Sequence, residues 1–323
     1  MELFAQNKIY KFMKISNLMI AISAILSIMA IALFFIQGLN YGIDFAGGTD
    51  AKIKYKEAAP IEKIRTLTNS DPLFHGASVT EFGSKEEVTI RFSGSTEVLG
   101  EDVGDKLHEL LKGTGEFEIR QIGMVGPKVG AELRKKGLTS IIISLIVILI
   151  YIAIRFEWRF GIAAIISEIH DVLLILGIIV VLRIDVNLEI LAAVLTLLAY
   201  SLNDTIVVFD RIRDEIKKSK SSSLADIIDL SVSKTLSRTI LTSLTTLFVI
   251  FALLVFGGES IKGFALTLFI GVIIGTYSSV FIAAPLLKWL KFDITTYKAN
   301  IAKKEKAKLE KERMRSMYEK GIV

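Results

Sequence analysis

The fold of this chain is decided by stretches such as NLMIAISAILSIMAIALFFIQGL, residues 17–39, which holds 23 residues and no charged side chain. A helix needs about 20 predominantly apolar residues to cross a lipid bilayer. Similar apolar stretches recur along the chain, and the predicted spans are residues 17–39, 138–154, 161–182, 186–209, 239–256 and 261–290. The sequence therefore predicts a polytopic α-helical membrane protein with six transmembrane helices.

The composition of the whole chain agrees with membrane insertion. Of its 323 residues, 52% are hydrophobic, and the mean hydropathy is +0.53. A soluble protein of ordinary composition is roughly 45–50% apolar, so a purely soluble enzyme is excluded. The chain has no cysteine, which excludes disulfides and thiolate metal sites.

The net charge of +5 comes from the end of the chain. Residues 298–323 carry nine Lys or Arg against four Glu, so the preceding residues sum to zero. This charge is confined to a tail, so we expect no nucleic-acid partner. We expect the tail to contact anionic lipid headgroups instead.

The distribution of basic residues predicts the orientation of the helices. Lys and Arg are concentrated before the first span, in the 155–159 and 211–220 segments, and in the tail, which places both termini in the cytoplasm. The first apolar run is too long for a signal peptide, so we interpret it as an uncleaved anchor. The predicted order is a cytoplasmic N-terminus (1–16), the first helix (17–39), an extracytoplasmic domain (40–137), the other five helices (138–290) and a basic cytoplasmic tail (291–323).

The extracytoplasmic segment has the patterning of a small α+β domain. Alternating apolar residues predict strands at 49–56, 77–82, 88–92 and 117–122, with helices at 60–68 and 96–111. The resulting order, β-α-β-β-α-β, is typical of the ferredoxin-like or split-βαβ arrangement. We therefore expect a ferredoxin-like domain between the first and second transmembrane helices.

The signatures of common enzyme classes are missing from the sequence. It contains no G-x-x-x-x-G-K-[ST], no H-E-x-x-H and no G-x-S-x-G, the motifs of phosphate cradles, zinc proteases and serine hydrolases. Three histidines, at His75, His108 and His170, are too dispersed for a multi-histidine metal site. We therefore expect no catalytic residue, cofactor or metal.

Ionisable residues lie within the third predicted span. Glu168, His170 and Asp171 sit at a depth where each charge costs on the order of 2.5–3.5 kcal/mol. Glu168 and Asp171 are three residues apart and share a helix face. They either bond neighbouring helices or belong to a proton relay, and the sequence leaves both readings open.

The fourth span carries a polar stripe. Thr196, Tyr200, Asn203 and Asp210 recur on one helix face, whereas Asp204 lies off it. The stripe ends in a protonatable group at the cytoplasmic mouth of the span. An interfacial carboxylate paired with the arginines that follow it is the alternative reading of Asp210.

The fifth span begins near an arginine. Arg238, Thr242 and Thr245 recur at helical spacing and predict an arginine at the foot of a hydroxyl-lined face. Pairing with Asp210 would hold that carboxylate ionised until protonation breaks the pair. Arg238 could equally be a snorkelling anchor.

The sixth span carries small residues at four-residue intervals, Thr267, Gly271, Gly275 and Ser279. Such a face usually lets two helix backbones approach closely, so it predicts helix packing. The predicted span 261–290 is long enough to tilt in the membrane or to bend near Pro285.

Four motifs together resemble a known family: YGIDFAGGT (41–49), RFEWRF (155–160) ahead of the span with His170 and Asp171, SLNDTIVVFDRIR (201–213) and LSRT (236–239). In combination they resemble the SecD/SecF family of bacterial protein-export membrane proteins, and its smaller, SecF-type subunits in particular. The resemblance implies a fold related to resistance-nodulation-division (RND) transporters, in which six helices form half of a bundle and SecD supplies the other half.

The resemblance also implies a function and partners. It implies an accessory subunit that assists the SecYEG channel and SecA in moving preproteins, driven by the proton-motive force in the bacterial inner membrane, with YajC as a further partner. The residues it associates with proton passage fall on Asp210 and Arg238, with Asn203 on the same face and Asp204 secondary. Gly42, Asp44, Gly47 and Gly48 would then form a hinge to the outer domain, or only a tight exit turn.

Two other functions stay open on the sequence. An RND-type half-transporter exporting a small molecule or lipid predicts a ligand-sized apolar pocket in the outer domain. A purely structural assembly subunit predicts that every intramembrane charge can be neutralised without loss of function.

Overall fold

The computed structural model describes residues 8–92, 103–218 and 223–319. Its strands are β1 (Gly48–Tyr55), β2 (Ser78–Phe82), β3 (Ser84–Phe92) and β4 (Phe117–Val125). Its helices are α1 (Phe12–Gln37), α2 (Ile43–Ala46), α3 (Ile61–Ser70), α4 (Val103–Leu111), α5 (Pro127–Arg155), α6 (Trp158–Val181), α7 (Leu188–Lys218), α8 (Leu224–Phe256), α9 (Glu259–Ser278), α10 (Ala284–Trp289) and α11 (Ile294–Glu319).

Six helical segments are long and apolar enough to cross a membrane. They are α1, α5, α6, α7, α8 and the continuous segment Ser260–Trp289. The chain is therefore a polytopic helical membrane protein. The helices α6, α7 and Ser260–Trp289 are about half buried within the chain, whereas α1, α5 and α8 bury little of their surface.

Several of these helices extend well beyond the predicted apolar windows. Helix α5 begins at Pro127, and α8 begins at Leu224 where residue 239 was predicted. Proline is well suited to a first helical turn, because its missing N–H has no helical partner there. Ser223 caps α8 by accepting a hydrogen bond from the Asp226 amide at 3.4 Å. Hydropathy marks only the lipid-facing part of a helix, so these polar ends were missed.

The segment between α1 and α5 contains one four-stranded antiparallel sheet. Its strand order is β2-β3-β1-β4, and its elements follow the order β-α-β-β-α-β along the chain. Alternate residues of the strands, such as Ile53 and Ile90, are fully buried with Ile64 of α3 and Leu107 of α4. The first part of the predicted helix 96–111 lies outside the described residues. Strand β4 is three residues longer than predicted, and its register with β1 shifts between Lys52 and Ile53.

Small residues hold α9 against α7. A side chain at Gly271 would meet Leu197 of α7, and one at Gly275 would meet the Cβ of Ser201 at 2.9 Å. The small-residue face therefore packs within this chain. Near Pro285 the helical segment contains a π turn at Ser279–Ala283, one of the usual ways in which a helix accommodates a proline.

Helix α11 forms most of the described part of the basic tail, and Asp293 stabilises its first turn. The Asp293 carboxylate accepts hydrogen bonds from the hydroxyls and amides of Thr295 and Thr296. These bonds, the Thr295 hydroxyl foremost, lower the pKa of Asp293 from 3.8 to about 2. The carboxylate therefore contributes fully above its ordinary pKa, and its contribution is lost as the pH falls through about 2.

Replacing Asp293 with Ala should accelerate amide hydrogen exchange in the first turn of α11, because the acceptor of two amide hydrogen bonds is lost. Hydrogen exchange with mass spectrometry on the full chain in detergent measures this. Asp293→Asn keeps an acceptor and should change the rate much less. Equal protection in Asp293→Ala and the unmodified chain would contradict the capping role.

Candidate functional site

A buried carboxylate on α7 faces a cation on α8. Asp204 is only 3% exposed, and Arg238 interacts with it electrostatically. Ser243, also on α8, lies within hydrogen-bonding reach of Asp204 and shares a 2.7 Å hydrogen bond with Thr276 of α9. The membrane helices thus place the Asp204 carboxylate near the Arg238 cation, at a position where little water reaches Asp204.

The lengths of α7 and α8 explain this meeting. The two helices are consecutive, in contact, and joined by a short connection. Arg238 lies fourteen residues after the start of α8, and Asp204 lies fourteen residues before the end of α7. Residues equally far from the turn between two antiparallel helices lie at the same level, because both helices rise 1.5 Å per residue.

The predicted pairing of Asp210 with Arg238 is wrong. Asp210 Oδ1 lies 3.0 Å from Arg213 Nη2 and 3.4 Å from Arg155 Nη2, and its side chain is 36% exposed. It is therefore the interfacial carboxylate of the alternative reading. The error came from starting the fifth helix at residue 239, which placed Arg238 at the wrong level.

Other residues of the predicted proton pathway also lie at positions that differ from the prediction. Asn203 and Thr196 are exposed on the outer side of α7, whereas Asp204 points inward. The Thr242 hydroxyl donates to the carbonyls of Arg238 and Thr239, and the Thr245 hydroxyl to those of Leu241 and Thr242. Both threonine hydroxyls thus donate to carbonyls of their own helix. Neither of them donates a hydrogen bond to Asp204.

A second polar cluster lies on α6. Asp171 is 3% exposed, and its Oδ1 lies 2.9 Å from His170 Nδ1. Its Oδ2 accepts hydrogen bonds from Ser201 of α7 at 2.6 Å and Ser278 of α9 at 2.7 Å. Glu168 is fully buried one turn earlier. The predicted third-span residues are therefore together, and Asp171 joins three helices as the bundle-bonding reading expected.

The glycine-rich segment after α1 is a close-packed junction. The Gly42 amide donates to the Val186 carbonyl at 2.9 Å, and Asp44 Oδ2 accepts a 3.0 Å hydrogen bond from the Leu188 amide at the start of α7. Gly47 and Gly48 have φ angles of +83° and +152° and lie against Pro127 and the Phe92 carbonyl. Of the two readings left open, the structure matches the tight turn and adds a direct attachment to α7.

The placement of Asp204 near Arg238 permits a change of charge by binding or release of a proton. A buried acid facing an arginine can exist as an ion pair or as a neutral acid beside an unpaired cation, and one proton separates the two states. In the described part of the chain, no group of three or more His, Asp or Glu side chains is placed to hold a metal ion. One sequence signal could have identified Asp204 as the acid that faces Arg238. The Ser223-x-x-Asp226 capping pattern marks the start of α8, and this start sets which residues of α7 and α8 lie at the same level.

Family models match most of the chain. A model described as "Protein export membrane protein SecD/SecF, C-terminal" matches residues 106–293, and one described as "SecD/SecF GG Motif" matches residues 32–59. The second match covers the close-packed junction.

Curated relatives and solved structures agree. Protein translocase subunit SecF of Helicobacter pylori is 46% identical over 323 residues, all of both chains. That of Vibrio alginolyticus is 43% identical over 287 residues, which is 88% of this chain and 91% of the relative. The crystal structure of SecDF from Thermus thermophilus, a translocon-associated membrane protein, matches with a TM-score of 0.78 and 32% identity, over 90% of this chain and 40% of that one.

SecDF in its super-membrane-facing form matches with a TM-score of 0.69 and 31% identity, over 95% of this chain and 41% of that one. This chain thus spans about two fifths of the SecDF chains but the whole of the H. pylori relative. The chain is therefore similar along its whole length to a SecF subunit and in fold to part of SecDF. The chain belongs to the SecD/SecF family of protein-export membrane proteins.

Proposed function

We propose that this chain, together with a SecD partner, uses the proton-motive force to promote translocation of preproteins through the SecYEG channel. As a member of its family, the chain is an accessory subunit of Sec protein export. The observation that carries the proton-driven part is the buried Asp204 on α7, which interacts electrostatically with Arg238 on α8. The energy source is the proton gradient, with no cofactor and no hydrolytic or redox step.

The proposed cycle turns a change in charge into movement. In one state Asp204 is ionised beside Arg238; in the other a proton neutralises it and leaves the arginine without its counter-charge. An unpaired charge at membrane depth is costly, so α7 and α8 favour different arrangements in the two states. Helix α7 is attached at its outer end to Asp44 in the junction, which gives its movement a route to the outer domain.

The outer surface of the bundle supports a partner half. Asn203 and Arg238 are exposed in the isolated chain, although polar groups at this depth normally face protein or water. We infer that SecD covers this face and completes an RND-type bundle. SecA, YajC, the preprotein and anionic lipids at the basic tail are the further proposed partners.

The strand order supports a ferredoxin-like assignment for the outer domain. The order β2-β3-β1-β4, antiparallel throughout, is what a β-α-β-β-α-β chain forms in that arrangement. We place the protein in the bacterial inner membrane with both termini cytoplasmic, because the basic loops and tail then lie on the cytoplasmic side.

The alternative half-transporter function has less support. A cavity of about 690 Å³ lies within the outer domain, and most of its walls are charged side chains, among them Lys54, Lys56, Glu86, Lys112 and Glu116. Pockets for small apolar ligands are lined predominantly by hydrophobic side chains. This charged cavity therefore does not match the apolar pocket that such a transporter requires.

Replacing Arg238 with Gln tests the proposal, because Asp204 would lose its counter-charge and stay neutral throughout the cycle. In vesicles containing the SecD partner and the translocase, the increase in completed translocation caused by a proton gradient should fall by about tenfold or more. Arg155→Gln is the matched control, since it removes a partner of Asp210, and should retain most of the increase. A full gradient effect in Arg238→Gln would favour the purely structural subunit.

A further inference from the structure

Glu168 is an unusual side chain for a membrane helix. It is 0% exposed on α6, and neither carboxylate oxygen has a hydrogen-bond partner among the described residues. Ser201 is close to it, but the Ser201 hydroxyl donates to Asp171 Oδ2 at 2.6 Å. An ionised carboxylate without hydrogen bonds or a counter-ion costs several kcal/mol to bury.

Asp171, one turn away, has the opposite surroundings. It is approached by His170 on its own helix, by Ser201 of α7 and by Ser278 of α9. The serine hydroxyls donate to a carboxylate at 2.6 and 2.7 Å, and donated hydrogen bonds favour the charged form of an acid. These hydrogen bonds therefore stabilise the ionised form of Asp171.

Among the described residues, the groups that act on Glu168 are Asp171 and Ser201, and neither is a cation. Around the adjacent His170 and Asp171, α9 places Ser278 and Tyr277, whose ring lies 6.4 Å from that of His170. Ser23 of α1 bonds the Tyr277 hydroxyl. Arg238 interacts electrostatically with Asp204 and is not among the groups that act on Glu168. A proton on His170 would compensate only Asp171, which it contacts at 2.9 Å, so these two adjacent buried carboxylates cannot both be ionised.

We propose that Glu168 and Asp171 form a second proton-binding site in the bundle, in which a single proton resides on Glu168 and the charge on Asp171. The site is separate from the pair of Asp204 and Arg238. It is linked to that pair through Ser201, which lies three residues before Asp204 on α7. The ligand of the site is a proton, and its occupancy is tied to the position of α7.

Infrared spectroscopy of the full chain with its SecD partner in lipid vesicles at neutral pH tests this site. A protonated carboxylic acid has a carbonyl-stretch band that an ionised carboxylate lacks. Glu168→Gln should remove one acid's share of this band, whereas Glu189→Gln, the same change at an exposed position, should leave it intact. An unchanged band in Glu168→Gln would overturn the proposal.

A second measurement covers the case in which Glu168→Gln does not fold. Glutamate labelled with ¹³C at its side-chain carboxyl should shift the acid band of the unmodified protein, and a band that does not move would again overturn the site. The result is independent of the proposed motor function. Asp204→Asn should abolish gradient-driven export and still show the Glu168 component of the band.

Discussion

Replacing Asp204 with Asn is expected to lower gradient-driven export by about tenfold or more, the usual scale of a lost coupling between two states. Asparagine has nearly the same shape as aspartic acid but cannot change its charge, so α7 and α8 would stay in the arrangement of the neutral acid. The measurement compares completed preprotein translocation, with and without an imposed proton gradient, in vesicles containing the SecD partner and the translocase.

Asp210→Asn is the matched control on the same helix. Asp210 is partly exposed and paired with Arg155 and Arg213, and exposed pairs contribute only about 0–1 kcal/mol. This variant should keep most of the gradient-driven export. A larger loss in Asp210→Asn than in Asp204→Asn would return the proton site to Asp210 and contradict the assignment made from the helix register.

The second large effect is expected from Gly48→Ala, which should destabilise the protein by about 3 kcal/mol or more. Gly48 has a φ of +152°, and a Cβ atom there would lie 2.6 Å from the Phe92 carbonyl oxygen. Gly48 and Phe92 belong to the paired strands β1 and β3, so neither can move without breaking sheet hydrogen bonds. Thermal unfolding of the purified full chain in detergent measures the loss.

Gly76→Ala separates the steric contact from the backbone angle. Gly76 also has a positive φ, +78°, but a Cβ atom there would meet nothing within 4 Å. It should therefore show only the smaller cost of the strained angle, about 1 kcal/mol. Equal destabilisation by the two substitutions would show that close approach at the junction has no special importance.

These comparisons also bear on the role of the glycine-rich segment. A freely moving hinge would tolerate substitutions that keep it flexible, but Gly42, Asp44 and Gly48 are each held by a named neighbour. The segment attaches the outer sheet to the start of α7. A displacement of α7 would therefore reach the sheet directly.

The sequence by itself determined the membrane architecture. Six apolar stretches were sufficient to identify six helices, because insertion into lipid depends on the local hydrophobicity of one segment at a time. The alternation in the outer segment predicted its strand and helix order for the same reason, since each element has one apolar face. The small-residue face of the sixth span also indicated close packing before any neighbour was known.

Only the tertiary structure decided which ionisable side chains of the membrane helices lie close to one another. Asp204 and Arg238 are 34 positions apart in the chain, and their electrostatic interaction depends on the full lengths of α7 and α8, including polar turns that hydropathy does not detect. The structure likewise joined Asp171 to Ser201 and Ser278, and it left Glu168 buried with no hydrogen-bond partner among the described residues. Pairing depends on the register between helices, and one turn of error, about 5.4 Å, is enough to exchange one carboxylate for another.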